Sequence, residues 1–484
     1  MTLAARVLSL VPAKLLPAGL RAAPGKQGAY WRTFETAETP AYTDSWPTRA
    51  SNINEDLARQ LPTLRGRVRG IARNNEWAIG YLKQLTDNVL GIGGIRLQMR
   101  LANPDGTQND FQNDLLESAF LQWGRDADVS GLTWPEIEYL ALRSLAIDGE
   151  FIYRLRPGCG QYGMQLQILD PALLDVNLRR DMGKNRVRMG IELDENSRPV
   201  AYWLKAAAAE NADIESYGQH VRIPAAFIRH VFVREEVGQL RGIPWLNGGA
   251  RRLWLLRDFE ESAAVASSNA AKRQGFFVSP TGDAPPGMAE GDKFMPTVPG
   301  QFDTLPASYQ FQPFESHWPN VSASEFVKQT LRGWASALGM SYVTLGNDLE
   351  SVNYSSARVG ILSEREHYKV IQTQLIAMLH QPVMEALLPR FLLFNPSLSP
   401  ALLEDYRAAI TWQPRRWAGI DPVKEATANQ MNIFNRITSP QRVILERGED
   451  PDEIAAELDE WEKKYGPVQS AKPDKKLLKD KTHA

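Results

Sequence analysis

From Ile53 to Leu90 apolar side chains return every three or four positions: Ala58, Leu61, Leu64, Val68, Ile71 and Ala72, then Trp77, Tyr81, Leu82, Leu85 and Val89. That interval places them on one side of a helix, and Gly91, Gly93 and Gly94 end it. A second helix is predicted over Asp110 to Trp123. A third begins at Thr133-Trp134-Pro135, with Pro135 suited to a first turn, and continues through Leu140, Leu142, Leu145 and Ala146. The period then shortens. Phe151-Ile152-Tyr153, Leu166 to Leu169, Val187 to Ile191, Val200 to Leu204 and Phe227 to Val233 are short runs rich in β-branched and aromatic residues, separated by Gly, Pro and Asp-Glu-Asn turns. They predict a small β-rich unit of meander type.

Helix returns over 242–274. Trp245, Leu246, Leu253, Leu256 and Phe259 give way to an almost wholly small-residue half, Glu261 to Lys272, that contains Ala263, Ala266 and Ala270. Small side chains let backbones approach closely, so this helix is expected either to pack against copies of itself or to sit in a tight bundle. Eight prolines between Phe276 and Asn320 exclude a long helix there and predict an irregular excursion with short strands such as Tyr309 to Phe314. Further helices are predicted over Ser322 to Leu338, Ser355 to Leu388, and Pro440 to Tyr465 with an interruption at Gly448. The Gly-, Pro- and Ser-rich first 51 residues read as a flexible arm, and the lysine-rich 467–484 as a disordered tail.

Composition narrows the class. The 484 residues are 43% hydrophobic and 23% charged, an ordinary balance for several globular domains. With 55 basic and 57 acidic side chains the net charge is −2, which argues against a large basic face gripping nucleic acid. The single cysteine, Cys159, excludes an intramolecular disulfide and a cysteine-based zinc site. No apolar run is long enough to span a bilayer. Lys14, Pro12 and Pro17 break up the apolar stretch in Met1 to Ala23, and Pro24 follows it, so it does not read as a secretory signal.

Catalytic signatures are missing. Gly333 to Ser341 has the wrong spacing for a phosphate loop and carries Met340 where lysine is required. The glycines at 91, 93 and 94 follow a helix instead of a strand, against a dinucleotide fingerprint. The six histidines lack metal-ligand spacing, and carboxylate pairs such as Asp258/Glu261 and Glu364/Glu366 read as solvated helix faces. No cofactor or metal is expected. The segment that stands out is the polar loop after Gly339: Asn347, Asp348, Glu350, Ser351, Asn353 and Tyr354, with Ser355 or Ser356 as a cap for the next helix. It is either a simple connection or a functional loop, and its length favours the second.

Five segments together resemble the lambda-type portal proteins of tailed double-stranded DNA bacteriophages: Arg73-Asn74-Asn75; Asp148-Gly149-Glu150; Gly238 to Leu246, with Arg241-Gly242; Leu338 to Tyr342 with Asn353 to Arg358; and Trp417 to Glu425. They follow the family's order over about residues 70 to 450. The resemblance implies a mainly helical α+β fold that assembles into a closed dodecameric ring at one capsid vertex. It implies a wing over 52–241, stem helices over 242–275 and 322–338, a clip over 276–321 and a tunnel loop over 339–355. A wing or tunnel helix over 356–395 and a crown with C-terminal helices over 396–466 complete the expected division.

The partners it implies are double-stranded DNA in the channel, the terminase large subunit, the major capsid protein and head-completion or tail adaptor proteins, with no membrane. On this view Asp348 and Glu350 repel phosphate while Asn347, Ser351, Asn353 and Tyr354 touch DNA transiently, and Ala263, Ala266 and Ala270 pack the stem ring. The competing readings are another head protein, such as an adaptor or shell subunit, and a DNA-acting packaging enzyme.

Overall fold

The computed structural model describes residues 52–205, 220–272, 275–278, 310–313, 321–348, 353–417, 421–449 and 451–466. The expected arm, tail and most of the expected clip lie outside them.

The first apolar stripe forms two helices, not one: α1 (Ile53–Asn74) and α2 (Glu76–Val89). The break is chemical. The Asn75 side chain accepts a hydrogen bond from the Ala78 backbone N–H at 3.1 Å, capping α2. A short strand β1 (Arg96–Met99) and helices α3 (Asp110–Trp123) and α4 (Trp134–Asp148) follow. Helix α4 starts where Pro135 predicts, with the Thr133 backbone N–H donating to Glu136 Oε2 at 2.8 Å.

The β-rich unit is two antiparallel sheets. Strands β2 (Glu150–Pro157) and β3 (Met164–Leu169) belong to a three-stranded sheet completed later in the chain. Strands β4 (Arg180–Met182), β5 (Asn185–Arg188), β6 (Ile191–Leu193), β7 (Pro199–Lys205) and β8 (His220–Pro224) form a five-stranded meander in sequence order. Strand β9 (Ile228–Phe232) then returns to pair with β2, giving the order β3-β2-β9. The meander's inner face buries Ile191, Leu193, Tyr202, Leu204 and Ile223 with Ile152 of β2.

Helix α5 (Ala250–Lys272) begins only after a 3₁₀ turn at Trp245–Asn247, so the regular helix is shorter than the periodicity suggests. Strands β10 (Gly275–Val278) and β11 (Gln310–Pro313) pair antiparallel across the proline-rich excursion. Helix α6 (Val321–Ala337), the short α7 (Tyr342–Gly346) and the long α8 (Tyr354–Leu375) follow. A π-helical turn at Ile376–His380 then leads directly into α9 (Gln381–Phe394). After α10 (Leu403–Ala409), strand β12 (Ile410–Gln413) pairs with β1, and α11 (Pro422–Phe434), α12 (Pro440–Arg447) and α13 (Pro451–Tyr465) end the described chain.

One large apolar core joins these helices. Tyr81, Leu82 and Leu85 of α2, Ile137 and Leu142 of α4, Trp334 of α6, and Leu387 and Phe391 of α9 are all buried in it. Among the described residues no helix is long and apolar enough to cross a membrane, and no His, Cys, Asp and Glu grouping could hold a metal ion.

Candidate functional site

Helices α5 and α6 form a hairpin that closes on glycine. A Cβ on Gly249 would stand 2.6 Å from Trp334 Cδ1, and one on Gly248 would stand 3.2 Å from Ala337 Cβ. At the same end Arg252 crosses Gly333 so closely that a Cβ there would meet its guanidinium. Phe259 and Phe326 stack between the helices with ring centroids 4.8 Å apart. The face of α5 turned away from α6 is uncovered by this chain: Trp254 is 61%, Leu255 47% and Val265 56% exposed. Ala263 and Ala266 are half-buried on that helix, and Ala270 belongs to it with its side chain outside the described ones.

The segment after α6 is more ordered than a polar loop. Leu338, Met340 and Leu345 are buried. Gly339 takes φ +68°, and a Cβ on it would lie 2.9 Å from His367 Nε2, so glycine is required there on both counts. The Ser341 hydroxyl caps α7 by accepting from the Thr344 backbone N–H at 3.3 Å. Glu364 of α8, expected on a solvated face, is instead buried. Its carboxylate accepts from the Ser341 backbone N–H and, at 3.0 Å, from the Thr344 hydroxyl. It satisfies donors at the start of α7, which is why it lies inside. Its neighbour Glu366 does behave as expected and pairs with Lys369 at 2.6 Å on the surface.

Asp348 is also corrected. It was expected to be an exposed carboxylate facing the channel; its side chain is only 14% exposed, 3.3 Å from Lys328 Nζ of α6, and it accepts from the Tyr342 hydroxyl at 3.0 Å. The Tyr342 hydroxyl is pushed up from its ordinary range by burial and by the neighbouring Asp348 charge, so it stays a donor at neutral pH. Arg332 lies over the other part of the Tyr342 ring, 5.4 Å from its centroid. Asn347 is exposed and ends α7 in the left-handed region at φ 48°, a conformation asparagine tolerates. Glu350 and Ser351 lie outside the described residues. Asn353 is exposed and directly precedes α8, so Ser355 and Ser356 fall inside the first turn and neither is its cap; the Tyr354 side chain is outside the described ones. The structure thus brings Asn347 and Asp348 together at the end of α7.

Below this hairpin is a buried charge cluster that links two of the segments singled out in the sequence. Glu150, the first residue of β2, is fully buried. It accepts from both the Nε and Nη2 of Arg241, from Arg65 Nη2, and from the Gly242 backbone N–H at 3.1 Å, while His230 Nε2 stands 2.7 Å away. Arg241 spends its remaining donors on the Leu174 and Met189 carbonyls, both at 3.1 Å. Burial alone would raise the Glu150 carboxyl; the Arg241 and Arg65 guanidiniums and His230 outweigh it and hold it well below the usual range. Burial lowers His230, despite the adjacent carboxylate. Gly149 (φ +81°) allows the two chain segments to meet, since a Cβ on it would lie 2.4 Å from the Ile243 carbonyl carbon.

Position 241 is nine residues before the start of α5, so the cluster anchors the approach to the hairpin to α1, β2 and β9. Apolar periodicity carries no sign of it. The only available signal was the charged residues flanking glycines in Asp148-Gly149-Glu150 and Arg241-Gly242.

A second joint holds the C-terminal half. Trp417 donates from Nε1 to Asn88 Oδ1 at 3.0 Å, and Gln372 donates to the Val89 and Arg415 carbonyls. Glu138 accepts from the Ile95 backbone N–H at 2.9 Å and lies 2.6 Å from His380 Nε2, beside Gly94. The glycine-rich turn at 91–94 therefore closes around a buried carboxylate.

Comparison with known proteins follows the same stretch. The sequence model of the family described as phage portal protein, lambda family, matches residues 39–372. The probable portal protein of Halomonas phage phiHAP-1 is 31% identical over 450 residues, covering 90% of this chain and 87% of the relative. Among solved structures, the neck of an empty gene transfer agent particle computed with C6 symmetry aligns with a TM-score of 0.45 at 13% identity, covering 83% of this chain and 95% of that one. The neck of the native particle computed with C12 symmetry gives 0.45 and 13%, covering 81% and 94%.

Proposed function

The chain belongs to the lambda family of phage portal proteins, and from that premise we propose that its copies close into a dodecameric ring at one vertex of the capsid. The ring passes double-stranded DNA inward under the terminase large subunit and outward at ejection, and it contacts the major capsid protein and head-completion or tail adaptor proteins. The observation that supports this best is the uncovered face of α5. Trp254, Leu255 and Val265 are exposed there, while Ala263 and Ala266 continue the stripe of Leu253, Leu256 and Phe259 that is committed to α6. Exposed apolar side chains of this kind suit a neighbouring copy under a head-to-tail operator that closes. Ala263, Ala266 and Ala270 are proposed as stem packing positions because their small side chains let the paired helices approach closely.

The division into wing, stem, clip, tunnel loop and crown belongs to the same proposal. Within it the role of Asp348 changes. Because Lys328 neutralises it, Asp348 acts as a tether for the turn carrying Asn347 and not as a free charge that repels phosphate. Asn347, Asn353, Tyr354, Glu350 and Ser351 remain the residues proposed to meet DNA. A motor that hydrolyses ATP is then a separate protein, and transient contacts let DNA slide where tight ion pairs to each phosphate would brake it.

Electron micrographs of the purified chain test the proposal. Class averages should show rotationally symmetric rings with a central hole. A chain that stays monomeric under all conditions overturns it, and ATP hydrolysis by the chain alone would favour the packaging-enzyme reading.

A further inference from the structure

A cleft of about 480 Å³ lies between α8, the segment that follows β12, and α12, away from the hairpin and its loop. Four cationic side chains line it, Arg365, Lys369, Arg416 and Arg442, against two carboxylates, Glu366 and Glu446. The carboxylates are already engaged. Glu366 is 2.6 Å from Lys369 Nζ, and Glu446 is 3.6 Å from Arg442 Nε. That leaves two guanidiniums without an ion-pair partner among the described residues.

Arg416 has its Nε buried with no hydrogen-bond acceptor among the described residues. Arg365 is half-buried and lies over the Trp417 ring at 5.9 Å. The ring is fixed in turn by Asn88, so it aims the guanidinium instead of leaving it free to swing into water. Burial and the nearby Arg415 both disfavour the charge on Arg365, with Glu425 only partly offsetting them. Cations held together at partial burial, with their local counter-charges spent, are completed by an anion from outside. Guanidinium forks beside an ammonium match the several oxygens of a phosphate group.

We propose that this cleft binds a backbone phosphate of DNA. The choice of DNA as the phosphate source rests on the portal reading, which brings DNA to the molecule; the cleft itself does not. It is a holding site and not part of the sliding path. Arg365 and Lys369 are on α8, where Arg365 stands about 16 Å of helix rise beyond the first residue Tyr354. Adjacent residues of that helix serve the two regions: Glu364 holds α7, and Arg365 lines the cleft.

The test uses the full chain, a short fluorescent DNA duplex and anisotropy titrations over a range of salt. The double variant Arg365→Gln with Arg416→Gln should weaken duplex binding about tenfold and lower the slope of log K against log salt by about 2. Arg442→Gln changes an exposed side chain of the same cleft and should lower the slope by about 1. It keeps the inference testable if the double variant does not fold. Unchanged duplex binding in variants that still form rings overturns the inference and leaves the portal reading intact. A wild-type chain that forms no rings counts against the portal reading alone. Two other results also overturn the inference. One is inorganic phosphate raising the melting temperature of the wild type but not of the double variant, with equal duplex binding, which assigns the cleft to a small ion. The other is loss of rings with unchanged duplex binding, which assigns it to a neighbouring copy.

Discussion

Glu150 and Asp348 each accept from a hydroxyl, ring or backbone donor and face a basic side chain, yet they are built for opposite ends. Glu150 is sealed from solvent with two arginines, a histidine and a backbone N–H around it. Asp348 meets Lys328, whose side chain is 28% exposed, and the Tyr342 hydroxyl. Water can replace the partners of the second pair but not of the first. Removing one member of a buried set strands the others, at about 3–5 kcal/mol, whereas a pair open to solvent contributes about 0–1 kcal/mol. The first arrangement is a fixed joint and the second a latch that can release.

The largest break in this comparison should come from Glu150→Ala, expected to cost about 3–5 kcal/mol because Arg65 and Arg241 are left as buried, unpaired cations. Urea unfolding monitored by tryptophan fluorescence would measure it. Acid should act on the same cluster in two stages. His230 is lowered from its ordinary 6.5, so the unfolded chain takes up a proton first and stability falls as pH drops below about that value. Glu150 is held well below its ordinary 4.5, so its contribution is present above that value and is lost as pH falls further toward its folded value. Melting curves across pH should show both limbs in the wild type, and His230→Gln should remove the upper one.

A smaller effect is expected from Glu364→Gln, at about 1–3 kcal/mol, since a buried carboxylate holding two donors is exchanged for an amide that satisfies them less well. Its sharper readout is proteolysis at the turn after α6, which should accelerate while the rest of the chain resists. Asp348→Asn is the smallest, below about 1 kcal/mol in a urea titration. If the latch reading is right, it should nevertheless alter DNA packaging in a complementation assay by more than its effect on stability suggests. A large loss of stability from Asp348→Asn would mean the pair is a joint like the first.

Much of the fold follows from periodicity alone. The helices over 110–123, 321–337 and 354–394, the stop at Gly448 and the meander are carried by spacing, caps and turns. What periodicity cannot supply is the partner of a polar residue. Nothing local distinguishes Glu364, which is buried, from Glu366, which is exposed, because the difference arises from Ser341 and Thr344 folding back over one of them. Strand β4 escaped for the opposite reason: Arg180, Asp181 and Met182 are all exposed and carry no alternation. In the segment after Gly339 the asparagines and acids predict a polar loop, but Met340 and Leu345 are buried and anchor it. Several of the segments that carry the family resemblance are joints between elements.

The π-helical turn at Ile376–His380 sets how α8 and α9 are phased. It places one additional residue in what would otherwise be a single continuous rod, with His380 of that turn lying 2.6 Å from Glu138. Deleting one residue there would restore a regular helix and rotate everything upstream by about 100° relative to everything downstream. Glu364 would then swing off the Ser341 turn while Leu387 and Phe391 kept their seats in the core. Five residues in mid-rod thus act as the gear tooth that decides which side of α8 the turn after α6 can grip.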